Sequence, residues 1–595
     1  MVKKNKIPIW KQYIDIQNKY LEIYGDRCIC FMQVGSFYEI YSLKKEGYMK
    51  DACDIMGVII TQKNISGSDI NPYMAGVPDH GVKKFLDRLV QENYTIIIID
   101  QIGSKNSKGE YEKRDITKII SKSNMDVFFE VNENNVTSNL LSIYMEEEKT
   151  LQNKMVITVG LSVIDLSTGI NYIYEINSGK HNIFEEMYRF IESYNPSEII
   201  IHTKKLVSFD KQDILSRINL SDRQYYYNFY DDKSVFLKIS YQEEFLKKIF
   251  TNTGMLNTIE YLDLQFKLYA LNSYILLLQF AYEHETNIIN KIRKPEIYES
   301  NKHLTLYNNA LYQLDIVSSN MTKNKYNGKI KSLYDVINNV SSAIGRRELK
   351  NRILNPITDI NKLNKSYQMV DIMSDKIGIY ENKLRDILDI ERHHRRLTLK
   401  ILQPKEYANI SESYKNTLDL LNMYQENFAD MLDIKQSDIK MYNEYYDEYM
   451  KIFNIDEMIN HNIKNINKSF FNYGLYEDID NVQDKIDECF NFFDNILKNF
   501  IQWIDEYESK SNKKYSKTKD FVNLIYQEKQ GNKMGTKREG EYFFTLNKRR
   551  GDILKQILKN KKIDGYKFET HTKSEVKIIS TEIKEMSVKL TTFIN

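Results

Sequence analysis

Two side chains near the amino terminus have types and a spacing that could do chemistry together. Phe37 and Glu39 stand two residues apart in the string FYEIY, and residues i and i+2 of a β-strand project from the same side. Gly35 precedes them and could let the backbone come close to a ligand. Taken alone, a phenylalanine and a glutamate so placed are usually one packed ring and one solvated acid. The surrounding residues therefore decide between the two interpretations.

A cluster of basic residues near the carboxyl end could bind phosphate groups. It comprises Lys533, Lys537, Arg538, Lys548, Arg549 and Arg550, and it is interleaved with Tyr542, Phe543 and Phe544 close to a predicted hairpin. Such cations can contact a nucleic-acid backbone without reading its sequence. The alternative interpretation is a solvated loop with ordinary lysines.

Two more charged groups stand in stretches that are predicted to be helical. Arg346 and Arg347 follow Gly345, and the run RHHRR covers residues 392–396. Because of the helical context we expect ion pairs between helices, or solvent, around these side chains. The adjacent His393 and His394 cannot share one face of a helix, so we expect no metal site there.

Bulk composition bounds the class of protein. A chain of 595 residues is too long for one core and should divide into several domains. Its net charge of +2 gives no overall attraction to polyanions, so any nucleic-acid surface must be local. The first residues do not resemble a signal peptide, and no stretch is apolar for long enough to span a membrane, so we expect a soluble intracellular protein.

Cysteine usage gives no indication of a disulfide framework or a zinc site. The four cysteines form neither a CxxC pair nor a Cys/His set with metal-ligand spacing. We expect reduced, packed thiols and no bound metal.

Hydrophobic periodicity divides the chain into four predicted domains. Residues 1–128 and 129–238 have α/β patterns, with strands at CICFMQVG, FYEIY and TIIIID in the first and an antiparallel hairpin of VITVGLSVIDL and INYIYEI in the second. Residues 239–470 are predicted to be helical. Residues 471–595 should begin with a helix from Leu475 to Ile504, about 45 Å long and packed on another helix. A small β unit at EYFFTLN and YKFETHT and a closing helix should follow.

Several strings occur in the order in which one known family has them. FMQVGSFYEIY is followed by MAGVPDH, IDQIG and KGEYEKRDI, then by VGLSVIDLSTG and YNPSEIII, and later by SLYDVINNVSSAIGRRELKNRILNPITDI and DIERHHRRLTLKILQPKEY. This order and these strings closely resemble the MutS DNA mismatch-repair family over nearly the whole chain. The segments after residue 530, including EYFFTLNKRRG, resemble that family's DNA clamp more loosely.

The resemblance implies a fold for each predicted domain. The fold class would be multidomain, α/β plus α. It would comprise a mixed-sheet mismatch-recognition domain at 1–128, a ribonuclease-H-like connector at 129–238, a helical core and lever at 239–470, and a lever helix with a partial, β-containing clamp at 471–595.

The resemblance also implies a function and roles for the residues. The chain would bind mismatched or unpaired double-stranded DNA as the sensor of mismatch repair, in a homodimer or heterodimer. Phe37 would be a wedge pushed between base steps from the minor groove, bending the duplex. Glu39 would hydrogen-bond a ring nitrogen of the displaced base, and we expect it to be protonated in the complex because desolvation and the phosphate field favour the neutral acid.

The other residues would have supporting roles. Tyr38 would face the core, and Gly35 would permit the close approach of the backbone. Non-specific contacts to the DNA backbone would come from Lys537, Arg538, Lys548, Arg549 and Arg550.

One departure from the family concerns nucleotide chemistry. No GxxxxGK[ST] loop occurs in the chain, which stops at KLTTFIN where the family turns back toward its ATPase. We therefore expect no catalytic site here, and ATP and Mg²⁺ only if an ATPase module lies beyond residue 595 or on another chain. The alternative function is that of a truncated relative that binds a partner or branched DNA without sensing mismatches. The intact GSFYEIY motif argues against it.

Overall fold

The computed structural model describes residues 8–62, 71–105, 111–128, 138–149, 155–176, 183–218, 220, 223–230, 234–299, 303–304, 310–317, 330–427, 434–461, 468–510, 522–528 and 540–594. By internal packing the chain divides into two compact units. The first contains Met1–Gln403 and Glu412–Ile434, and the second contains Pro404–Ser411 and Lys435–Asn595.

A mixed sheet forms the amino-terminal part of the first unit. Its strands are β1 (Cys28–Val34), β2 (Phe37–Ser42), β3 (Thr61–Gln62), β4 (Tyr73–Pro78), β5 (Thr95–Lys105) and β6 (Tyr111–Ile120). They lie in the order β3-β4-β2-β1-β5-β6. Only β1 and β5 pair in parallel, and the other neighbours are antiparallel. The prediction of a mixed sheet in this region is confirmed.

Helices cover this sheet. They are α1 (Ile9–Tyr24), α2 (Tyr48–Met56), α3 (Val82–Gln91) and the short α4 (Met125–Phe128). The run of apolar residues at the start of β1 is fully buried, and α1 contributes the buried Tyr13, whose hydroxyl donates to the carbonyl of Cys30 at 2.9 Å. The core of this region therefore lies between the sheet and its helices.

A second six-stranded sheet follows in the same unit. Its strands are β7 (Asn139–Lys149), β8 (Met155–Asp165), β9 (Ile170–Ile176), β10 (Glu198–Lys204), β11 (Gln224–Phe229) and β12 (Glu296–Ile297), in the order β11-β10-β7-β8-β9-β12. The predicted hairpin is confirmed, because β8 and β9 pair antiparallel. Helices α5 (Ile183–Tyr194) and α6 (Lys211–Arg217) belong to this region.

Helices dominate the rest of the first unit. They are α7 (Ile239–Ile249), α8 (Thr258–Tyr261), α9 (Leu268–His284), α10 (Ala310–Gln313), α11 (Leu333–Ile337), α12 (Ala343–Leu354), α13 (Ile360–Ser374), α14 (Ile377–Arg385) and α15 (Ile390–Thr398). Helix α16 (Pro404–Asn427) has its first residues in the second unit and the rest in the first. Helix α9 packs directly on the second sheet. A Cβ added at Gly160 of β8 would lie 1.9 Å from the carbonyl oxygen of Tyr269 in α9, so only glycine allows this approach.

The second unit combines helices with a four-stranded sheet. Its further helices are α17 (Gln436–Ile452), α18 (Ile455–Ile459), α19 (Glu477–Lys510), α20 (Lys548–Asn560) and α21 (Thr581–Ile594), and its strands are β13 (Asn523–Glu528), β14 (Gly540–Asn547), β15 (Lys567–Thr570) and β16 (Glu575–Ile579). The long helix predicted over residues 475–504 is present as α19. Its stripe from Ile486 to Ile504 packs into a core shared with β14, α20 and α21.

A hairpin is present near the basic cluster, because the consecutive strands β13 and β14 pair antiparallel, but Lys548, Arg549 and Arg550 begin a helix. Strand β14 leads into α20, and its sheet neighbours are β13 and β16, while β15 pairs with β16 at the sheet edge. The sequence KRRGDILKQILKN forms a helix because Ile553, Leu554, Ile557 and Leu558 recur at helical spacing. Asn547 caps it by accepting from the backbone N–H of Arg550 at 2.9 Å.

Candidate nucleic-acid interface

A tight hairpin presents Phe37 at the end of the first sheet. Val34 of β1 pairs with Phe37 of β2, and Gly35 and Ser36 form the two-residue turn between them. Gly35 has φ +66° while Ser36 has no positive φ, the pattern of a type II′ turn, whose first central position favours glycine. A Cβ at Gly35 would meet nothing within 4 Å. The glycine is therefore required by the backbone conformation and not by crowding.

The ring of Phe37 is exposed although strands flank it on both sides. Its backbone pairs with Val34 of β1 and with Pro78 of β4, and the N–H of Asp79 donates to the carbonyl of Ser36 at 2.9 Å. Even so, 48 % of its surface remains accessible. A large apolar side chain is thus held outward on a well-supported strand.

The opposite face of β2 is anchored in the core. Tyr38 is buried, and its hydroxyl donates to Oδ1 of Asp100 at 2.7 Å. The hydroxyl of Thr117 donates to Oδ2 of the same carboxylate at 2.6 Å. Burial and the hydrogen bond to Asp100 raise the pKa of Tyr38. The expectation that Tyr38 faces the core is confirmed, and the strand cannot rotate without breaking these bonds.

Glu39 lies on the same face as Phe37 and is half-buried. The hydroxyl of Tyr41 donates to its Oε2, and Gly76 of β4 stands directly opposite it. Tyr41 is itself buried and packs edge-on against Tyr13 with ring centroids 5.6 Å apart. Burial, followed by the hydrogen bond to Glu39, raises the pKa of Tyr41, so this hydroxyl keeps its proton and acts as a donor.

Tyr41 is a site residue that the sequence reasoning missed. It follows Phe37 and Glu39 at the same two-residue spacing, so the alternation that paired those two also pointed to it. Its hydroxyl could have been noticed as a partner for the carboxylate.

The structure describes only part of the basic cluster that was predicted in the second unit. Lys533, Lys537 and Arg538 lie outside the described residues. Lys548 and Arg549 are exposed in the first turn of α20. Arg550 is mostly buried and is paired with Glu508 of α19, at 3.1 Å from its Nε to Oε1. The structure therefore separates Arg550 from its two neighbours.

The aromatic residues of that cluster belong to the core. Tyr542, Phe543 and Phe544 lie on β14 and all three are buried. Lys577 of β16 stands 4.0 Å from the centre of the Phe543 ring. In this arrangement the rings are not available to stack on bases.

The other charged groups make internal contacts, as predicted. Arg347 of α12 forms ion pairs with Asp389 and Glu391 at the start of α15. Arg395 donates to the backbone carbonyl of Asn290 at 2.6 Å and also to that of Ile288. His394 hydrogen-bonds the hydroxyl of Tyr414 at 2.6 Å.

Neither a metal cluster nor a membrane-spanning helix is found where the structure is described. In those ranges no group of three or more His, Cys, Asp or Glu side chains could hold a metal ion, and no helix is both long and apolar enough to cross a bilayer. The four cysteines are free and buried.

Two family models match the chain. The model described as MutS domain I matches residues 7–128, which contain the hairpin with Phe37. The model described as MutS domain III matches residues 309–562, which contain α19 and α20. Together with the relatives described next, these matches show that the chain belongs to the MutS family.

Curated relatives are similar over most of the chain. A protein of Acanthamoeba polyphaga mimivirus, named as a homologue of the DNA mismatch repair protein mutS, is 29 % identical over 98 % of this chain and 54 % of its own length. The DNA mismatch repair protein MutS of Caldanaerobacter subterraneus is 24 % identical over 78 % of this chain and 48 % of its own. That of Clostridioides difficile is 24 % identical over 76 % and 43 %. The chain thus spans about half the length of these relatives.

Proposed function

We propose that this chain binds duplex DNA containing a mispaired or unpaired base and acts as the sensor of DNA mismatch repair. The single observation that carries the proposal is the exposed ring of Phe37 on a hairpin whose other face is anchored in the core. The names of the relatives, which are mismatch repair proteins, support it.

Phe37 supplies the discrimination by acting as a wedge. Pushing an aromatic ring between two base steps from the minor groove costs a few kcal/mol of unstacking and kinks the duplex by roughly 20 to 90°. A mispair is already easier to unstack and bend, so the same insertion costs less there. Gly35 contributes by keeping the turn narrow enough for the hairpin tip to enter the groove.

Glu39 makes the second contact, to the base that the wedge displaces. A carboxylate near phosphates is unfavourable unless it is neutralised, and protonation on contact with a ring nitrogen removes the charge and supplies a donor. Tyr41 orients the acid by donating its hydroxyl proton to Oε2. The repulsion between the Glu39 carboxylate and the phosphates then weakens binding to paired DNA, and protonation removes this repulsion at a mismatch.

The second unit contributes contacts that do not depend on sequence. Lys548 and Arg549 are exposed cations that can bind backbone phosphates, and Lys537 and Arg538 belong to the same proposal. Arg550 was proposed with them, but its pairing with Glu508 assigns it to the support of α20.

The assembled protein belongs to the proposal as well. We propose a dimer in which one copy inserts Phe37. ATP and Mg²⁺ enter the proposal only for a polypeptide that carries a phosphate-binding loop, because GxxxxGK[ST] does not occur in these 595 residues.

A binding titration tests the function directly. The chain is titrated into fluorescently labelled duplexes that are identical except for one G·T mispair or one unpaired thymine, and anisotropy gives each Kd. We expect a preference for the mispaired duplex on the order of tenfold, equivalent to about 1.4 kcal/mol of saved unstacking. Equal affinity for both duplexes would overturn the proposal, and tighter binding to a four-way junction would favour a branched-DNA protein.

A further inference from the structure

Arg114 occupies a break in the first sheet close to the hairpin tip. The parallel ladder between β1 and β5 runs from the pair Cys28–Thr95 to the pair Met32–Ile99 and then stops. Beyond it, the N–H of Gln101 donates to the side-chain Oε1 of Gln33 at 3.0 Å. The main-chain carbonyl of Gln33 accepts from Nε of Arg114 at 3.2 Å. A guanidinium therefore replaces a backbone hydrogen bond where the two strands separate.

The sheet register places Arg114 on the same face as Phe37. Phe37 pairs with Val34, and Gln101 pairs with Arg114. The last pair of the β1–β5 ladder is Met32 with Ile99. Two residues further along both strands, Val34 therefore lies beside Gln101. Side chains of directly opposed residues in adjacent strands project to the same side. Phe37 and Arg114 thus belong to one row that crosses four strands.

The side chain of Arg114 reaches toward the wedge. Three spacings of about 4.8 Å separate the backbones of β2 and β6, but the bond to Gln33 draws the guanidinium over to β1, the strand next to Phe37. Its charge also acts on the face that carries Glu39. Burial raises the pKa of Tyr41, and the charge of Arg114 partly offsets that effect.

The outer edge of the guanidinium is available for a ligand. Nε is fixed by Gln33, and in the described part of the chain the two amino groups of Arg114 make neither a hydrogen bond nor an ion pair. The residue is half-buried, so its orientation is restrained while that edge meets solvent. A planar fork of N–H donors held in this way matches the oxygens of a phosphate.

We infer that Arg114 binds a backbone phosphate of the duplex next to the base step that Phe37 enters. The inference rests on the proposed function and adds a residue to it. Phosphate contacts set the register of a protein on DNA without reading sequence. The contact from Arg114 would therefore position Phe37 over a base step independently of which bases form it. It also supplies a positive charge on the face where Glu39 brings a negative one.

The salt dependence of binding tests this assignment. Arg114→Gln and the charge-preserving Arg114→Lys are compared with Lys50→Gln, which removes an exposed charge from α2 after the other end of β2. Each protein is titrated with paired and mispaired duplex at several salt concentrations. We expect Arg114→Gln to weaken both complexes by a similar factor, on the order of tenfold, and to reduce the slope of log K against log salt by about 1. Arg114→Lys and Lys50→Gln should keep the wild-type slope.

The outcomes separate this inference from the proposed function. A wild-type slope in Arg114→Gln, with or without weaker binding, overturns the phosphate contact and leaves Arg114 as a support for the junction of β1 and β5. A wild-type protein that binds DNA without preferring the mispair overturns the proposed function, and the slope on paired duplex still reports on Arg114. A wild-type chain that binds neither duplex overturns both.

Discussion

The buried hydroxyl of Tyr41 donates a hydrogen bond to Oε2 of Glu39, two residues earlier on the same face of β2. The carboxylate of Glu39, which lies beside the exposed ring of Phe37, is therefore oriented by a side chain that is fixed in the core. This relationship makes the charge of Glu39 and its position separable by mutation, because an amide can accept the same bond.

Glu39→Gln should weaken discrimination by tightening the binding of paired DNA. The amide oxygen still accepts from Tyr41, but the charge that phosphates repel is gone, and two unit charges 4 Å apart interact by about 1 kcal/mol even in bulk water. We expect the affinity for paired duplex to rise on the order of tenfold and the preference for a mispair to fall accordingly. Glu46→Gln, in the exposed loop after β2, is the control for net charge. Unchanged affinity of Glu39→Gln for paired duplex in an anisotropy titration would refute this role.

Gly35→Ala should loosen the hairpin tip through backbone strain alone. A left-handed φ costs a residue with a Cβ about 1 to 2 kcal/mol, and the open space around Gly35 excludes a clash. We expect faster amide hydrogen exchange over residues 34–38, measured by mass spectrometry, and a smaller preference for the mispair. Gly378→Ala is the matched control, because that glycine lies in α14 with open space and no positive φ. Equal exchange in the two variants would show that Gly35 is not needed for the turn.

The three basic residues at the start of α20 should respond differently to mutation. Replacing Lys548 and Arg549 by glutamine should lower affinity for all duplexes and flatten the salt slope by up to about 2, since both cations are exposed. Arg550→Gln should instead destabilise the second unit by about 1 to 3 kcal/mol, because it removes a mostly buried ion pair with Glu508. Urea unfolding and salt titrations distinguish the two effects. A flattened salt slope in Arg550→Gln with unchanged stability would contradict this division.

Acid should destabilise the first unit through two buried histidines. Burial lowers the pKa of His202 to about 3 and that of His284 to about 4, from 6.5. Below pH 6.5 the unfolded chain takes up protons that the folded chain does not, so stability is present above pH 6.5 and is lost toward pH 4. By pH 5 each histidine should have cost about 2 kcal/mol.

Replacing one of these histidines isolates the effect. Among the residues that the structure describes, neither ring nitrogen of His202 has a hydrogen-bond partner, and its ring packs against Tyr230, so His202→Phe should fit. We expect its urea midpoint to fall less than that of the wild type between pH 7.5 and pH 5, whereas His80→Gln, at an exposed position, should follow the wild type. Parallel pH dependence in His202→Phe and wild type would show that His202 does not titrate in this range.

The local part of the site could be predicted from the sequence, and its long-range part could not. Two-residue periodicity fixes which side chains of β2 share a face, so the sequence alone orients Phe37, Tyr38 and Glu39 correctly. The contact between Arg114 and Gln33 spans 81 residues and depends on the parallel register of β1 and β5. Nothing in the sequence of β1 or of β5 encodes that register.

The pairing of Arg550 could not be predicted from the sequence for a different reason. Strand-like alternation in EYFFTLN indicates a strand, and the helical spacing of Ile553, Leu554, Ile557 and Leu558 that follows indicates a helix. The sequence pattern alone groups Arg550 with Lys548 and Arg549 as an exposed cation. The helix instead turns it toward Glu508, a partner 42 residues away.

The central claim is that the ring of Phe37 enters the duplex at a mismatch. The most direct measurement is the ratio of Kd for paired and mispaired duplex in wild type, Phe37→Ala and Phe266→Ala, the last removing a ring that is 89 % exposed elsewhere in the first unit. We predict that Phe37→Ala brings the ratio close to one while weak general binding remains, and that Phe266→Ala keeps the wild-type ratio. A wild-type ratio in Phe37→Ala would contradict the account.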